Sequence, residues 1–114
     1  MGAATQLVVA KDANRWVMDE VHGQSPYIAN MVFSGAAVKT STPPTGAKFV
    51  KIASTVVVYF SIHGTAAVPS GDVTDGTGSE LLPISAPVTV SLDGSTAVSV
   101  AAGAACVVSL VYYL

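Results

Sequence analysis

Seven consecutive residues, Val56-Val57-Val58-Tyr59-Phe60-Ser61-Ile62, contain no charge, proline or glycine. β-Branched and aromatic side chains fit a pleated surface better than a helix, so the run predicts a strand. Because it is apolar on both faces, it is expected at the centre of a sheet, with the core on one side and another covering layer on the other. Left uncovered, such a segment is an aggregation hazard. The same bias runs through the chain, with nineteen valines, seventeen alanines and twenty-two serines and threonines among its 114 residues. An all-β fold follows.

Punctuation by Gly, Pro and Asp divides the remainder into further short strands. Thr5 to Ala10 is a β-type run ending at Lys11-Asp12-Ala13-Asn14. Arg15 to Val21 reads as strand or turn, since Asn14 could cap a helical turn. Tyr27 to Phe33 is a strand entered through Ser25-Pro26, and Thr40 to Gly46, with Pro43 and Pro44, is the clearest linker. Lys48 to Ile52 precedes the central run, and residues 63–80 form a long loop of the kind that is usually functional. Leu81-Leu82-Pro83 is a short edge element. Val88 to Leu92 and Ala97 to Val100 flank Asp93-Gly94, the dipeptide of a type I′ turn, and are expected to pair as a hairpin. Gly103 then separates the last strand, Cys106 to Tyr113. About eight short strands predict an antiparallel β-sandwich, jelly-roll-like, in one domain. Residues 1–46 are expected to supply an N-terminal arm and the first strands, and residues 47–114 the sandwich core.

Charge narrows the function classes. Only 11% of residues are charged, against about 25% in ordinary soluble domains. The net charge of −2 argues against a nucleic-acid partner, because binding a phosphate backbone requires a basic surface. All five cations, Lys11, Arg15, Lys39, Lys48 and Lys51, precede residue 52, whereas Asp72, Asp75, Glu80 and Asp93 follow it. This polarity suits head-to-tail packing of copies or a partner of matching polarity. The uncharged stretch Ser95 to Leu114 is long enough to span a bilayer. Its serines, its glycine and its alternation instead predict two strands and a turn with no membrane association, leaving a small protein anchored through residues 95–114 as the least favoured alternative. Gln6 to Ala10 is too short for a secretory h-region, and Cys106 stands alone, so a chain made in a cytoplasm without disulfides is expected.

No catalytic constellation stands out. His22 and His63 lack neighbours at metal-ligand spacing. Asp72, Asp75 and Glu80 sit in a Gly-rich loop but miss the spacing of a calcium-binding EF-hand. Ser61 and Ser109 lie in apolar strands without an accompanying acid and His, and Gly76-Thr77-Gly78 lacks the lysine and helix of a phosphate cradle. The expectation is a non-enzymatic chain without cofactor or metal. Trp16, Tyr27, Tyr59, Tyr112 and Tyr113 are candidates for a sugar-stacking platform or, preferably, for a protein interface, to which Phe33 and Val57 are added.

From Ala47 to about Leu110 the order of features is distinctive. Ala47-Lys48-Phe49-Val50-Lys51-Ile52-Ala53-Ser54 is followed by the apolar strand ending His63-Gly64, a Thr/Ala/Asp/Gly loop, Glu80-Leu81-Leu82-Pro83, and Val-rich segments around Asp93-Gly94 and Val107 to Leu110. This resembles the small all-β virion proteins of tailed bacteriophages, head decoration or cement proteins above all. Ile84-Ser85 departs from the Ala-Gly that often continues the Leu-Pro element. The resemblance implies a homotrimer on the major capsid protein, with tail, fibre, receptor-binding or carbohydrate-binding modules as alternatives. One core of this length leaves roughly 30–40% of the unfolded chain's surface exposed. With 51% apolar residues, the surplus around Val56 to Ile62 and Cys106 to Tyr113 is where other subunits are expected.

Overall fold

A computed structural model describes residues 4, 8–11, 17–21, 26–84 and 86–114. All its regular elements are strands: β1 (Val8–Lys11), β2 (Val17–Val21), β3 (Ile28–Phe33), β4 (Ala37–Ser41), β5 (Phe49–Ser54), β6 (Val58–Ser61), β7 (Glu80–Leu82), β8 (Val88–Ser91), β9 (Val98–Ala102) and β10 (Cys106–Tyr113). Strands β1 and β2 pair with each other, with an irregularity between Val9 and Lys11. The other eight make two four-stranded antiparallel sheets, ordered β3-β10-β5-β8 and β4-β9-β6-β7.

The pairing is nested. The first of the eight strands lies beside the last (β3 and β10), the second beside the seventh (β4 and β9), the third beside the sixth (β5 and β8), and the two middle ones together (β6 and β7). The chain is thus one long antiparallel ribbon whose tip is the loop after β6, wound so that β10 also meets β5 and β9 also meets β6. Both sheets send apolar side chains into one core: Phe33, Ile52, Val50, Leu110 and Tyr112 from the first, and Val58, Phe60, Leu82, Val98 and Val100 from the second. Across that core the Tyr112 hydroxyl donates to Ser41 Oγ at 2.7 Å, and the Tyr27 ring meets Tyr112 edge-on at 5.9 Å. At the open side next to β3 and β4, Lys39 Nζ bridges the layers, donating to Val32 O at 2.7 Å and lying 5.5 Å from the Phe33 ring centroid.

The all-β sandwich expected from the sequence is present, and several finer expectations are corrected. Asp93 and Gly94 do adopt positive φ angles of 51° and 78°, and Ser95 N donates to Leu92 O at 2.8 Å. The strands that this turn joins do not form a hairpin, however, because β8 pairs with β5 and β9 with β4 and β6. A tight turn fixes the local reversal, not the sheet in which the next strand finds its partner. The linker begins later than Thr40: β4 pairs through Ser41, and the prolines stand just beyond it. Residues 28–41 supply an edge strand to each of the two four-stranded sheets. The central run narrows to β6, flanked by β9 and β7. Ser95 to Leu114 holds β9 and β10, in different sheets, and no helix among the described residues is long and apolar enough to cross a membrane.

Candidate functional site

Strand alternation sorts the side chains of the second sheet into cross-strand rows. Lys39, Val100, Phe60 and Glu80 make one row, with Val100 and Phe60 in the core. The next row therefore points outward: Val38, Ala101, Tyr59 and Leu81. Ala101 is buried in the middle of it and Tyr59 is half-buried, while Val38 and Leu81 at the two edges are 48% and 49% exposed. Val57, preceding β6, is 45% exposed.

On the other side of the Lys39 row lies a third, outward-facing row, Thr40, Ser99 and Ser61, with Ser79 just before β7. Here three hydroxyls hold the long loop. Ser61 Oγ accepts from His63 N at 3.2 Å, Ser99 Oγ from Ala66 N at 2.8 Å, and Ser79 Oγ from Ala67 N at 3.0 Å. Ala66 and Ser99 are both buried where the loop crosses the sheet. The chain's own loop thus covers the outer face of β6 and β9 at this row, while Val38 and Leu81, the two ends of the neighbouring row, stay half-exposed. Further out, Asp75 Oδ1 accepts from Thr77 Oγ1 at 2.6 Å and Thr77 N at 3.1 Å, and these bonds hold its carboxyl below the usual carboxylate range. A groove of about 470 Å³ lies beside the loop, lined by Thr40, Ile62, His63, Thr65, Ser95 and Thr96 among others.

The seven candidate interface residues part company. Phe33, Tyr112 and Tyr113 are buried within the chain, so their rings are not open to a partner. Tyr112 belongs to the core, and burial pushes its phenol above the ordinary tyrosine range despite the bond to Ser41. Tyr27 is half-buried against the core, Val57 and Tyr59 lie on the outer face of the second sheet, and Trp16 is outside the described residues. The reason for the correction is geometric. An aromatic in an alternating strand goes inward or outward according to register, and register is set by tertiary pairing. Val38 carries no signal in the sequence, and Leu81, Lys39 and Glu80, legible there only in an edge element and a charge polarity, become ends of rows through the strand pairing.

Ser61 Oγ accepts from the backbone amide of His63, a contact that docks the loop. Among the described residues no group of three or more His, Cys, Asp or Glu is placed to hold a metal ion. Cys106 is free and buried, and His22 lies outside the described residues. No protein-family model matches the chain, and no curated protein or solved structure shows significant similarity to it.

Proposed function

We propose that this chain is a non-enzymatic structural protein of a bacteriophage virion, made in the host cytoplasm, that decorates the head and binds both the major capsid protein and further copies of itself as a homotrimer. The observation that carries the proposal is the pair of half-exposed apolar side chains, Val38 and Leu81, at the two edges of the second sheet's outer face. A protein assembled once onto a shell can keep such surface, because neighbouring subunits cover it. Two lines support the reading. The order of features from Ala47 to Leu110 resembles phage decoration proteins. We read the nested eight-strand order as jelly-roll-like, a plan used by viral capsid proteins and also by lectins, so this support is analogy at the level of fold.

Mass spectrometry of density-banded particles from cells expressing the gene tests the proposal. The chain is expected in the particles at a stoichiometry comparable to the capsid subunit. Its absence from intact particles overturns the reading. A second reading, a tail, fibre or receptor-binding module that takes carbohydrate, draws on the hydroxyl-rich groove around His63 and Thr65. Glycan-array binding that disappears in Thr65→Val and His63→Ala would favour it over decoration.

A further inference from the structure

We propose that copies of this chain associate head to tail by strand addition, the outer edge of β4 in one copy pairing antiparallel with the outer edge of β7 in the next. This deepens the self-association part of the proposed function and rests on that reading only for its setting.

The two edges match residue by residue. In a sheet of four antiparallel strands, β4 and β7 run in opposite directions. A neighbouring copy's β4 laid beside β7 therefore continues the antiparallel alternation. Inward- and outward-pointing backbone groups alternate from strand to strand along a row, so after four strands the pattern returns in phase. The same rows then run on from copy to copy: Leu81 falls opposite the next copy's Val38, and Glu80 opposite its Lys39. The first pair joins two half-exposed apolar side chains, and the second joins opposite charges. Directly opposite pairs of both kinds stabilise antiparallel sheets, whereas like charges placed opposite destabilise them.

Charge also selects among the possible pairings. Two β4 edges meeting would set Lys39 near Lys39, and two β7 edges Glu80 near Glu80. An edge lysine ordinarily protects a strand from unwanted partners. Here the opposite edge carries the countercharge, so the head-to-tail combination is the one that escapes repulsion. Among the described residues no backbone hydrogen bond joins the outer edge of β4 or β7 to a loop. A heterologous contact of this type closes into a ring or runs on as a filament, according to the rotation between copies.

Sedimentation velocity over a concentration series of the purified full chain is the test, with Lys39→Glu, Glu80→Lys and the double reversal compared with the unaltered protein. Each single reversal is expected to raise the dissociation constant about tenfold or more, and the double reversal to recover part of the loss, because Lys39→Glu also removes the intrachain bond from Lys39 Nζ to Val32 O. Far-UV circular dichroism checks that each variant is folded. Crosslinking keeps the proposal testable should a reversal fail to fold: Val38→Cys and Leu81→Cys proteins mixed with a short thiol-specific crosslinker are expected to give a covalent dimer that neither gives alone. Cys106 is buried and stays out of the reaction. A monomer at every concentration, association indifferent to both reversals, or equal crosslinking of each cysteine variant with itself overturns the proposal. Association in solution and presence in particles are read separately, so one can fail while the other holds.

Discussion

Ser99 shows how one hydroxyl decides the course of a loop. It is the buried polar side chain of β9, and its oxygen accepts the amide of Ala66, itself buried. Replacing it by alanine leaves that amide without its acceptor, a loss of about 1–3 kcal/mol for a buried donor. Ser99→Ala is therefore expected to lower the free energy of unfolding by that amount in urea titration and to speed hydrogen exchange at Ala66 and Ala67 before the core strands exchange. Tyr112 makes a different demand. Its phenol is raised above the ordinary value of about 10 by burial, so the folded state holds the proton more tightly than the unfolded state. The stability this confers is complete below pH ~10 and is lost as pH rises through the folded-state value. Alkaline melts are expected to show a steep fall in melting temperature above that pH, less steep in Tyr112→Phe. At neutral pH the same variant loses about 1 kcal/mol with the bond to Ser41. Neither role is visible in the sequence, where Ser99 is one of twelve serines and Tyr112 one of four tyrosines.

Turns were the most legible elements and their consequences the least. Asp93-Gly94 announced its positive φ angles because short-range sterics alone favour Gly and Asp there. Gly94→Ala is expected to cost about 1 kcal/mol, since a Cβ is strained at φ 78°. Gly103→Ala, where an added Cβ meets nothing within 4 Å, is expected to leave the unfolding midpoint nearly unchanged, and urea titration of the pair checks the contrast. Yet the strands on either side of Asp93-Gly94 enter different sheets. Strand β4 escaped notice for a related reason. Ala37-Val38-Lys39-Thr40-Ser41 has modest β propensity, and its place is secured by β9, far along the chain. Strand β6, by contrast, was readable as a central strand because seven apolar and hydroxylated residues leave few other solutions.

Nested pairing gives the whole molecule its cooperativity. The first strand of the sandwich cannot pair until the last is available, as Phe33 opposite Cys106 shows. Such non-local pairing predicts folding in milliseconds to seconds rather than microseconds. Leu110 sits fully buried in β10, between β3 and β5 and facing the second sheet. Leu110→Ala is expected to cost about 2–5 kcal/mol, and the unfolding curves followed by far-UV circular dichroism and tyrosine fluorescence should still coincide, since neither sheet keeps its buried face without the other. Divergent curves would show the sheets to be separate units. What the sequence determined by itself was the class of structure: strands from β-branched periodicity, turns from Gly, Pro and Asp, and one core from length. These follow from interactions between residues close in the chain. Which strand lies beside which, which aromatics turn inward and which side chains end a row were decided only by the tertiary structure, because each depends on register between segments distant in sequence and on competition for one buried face.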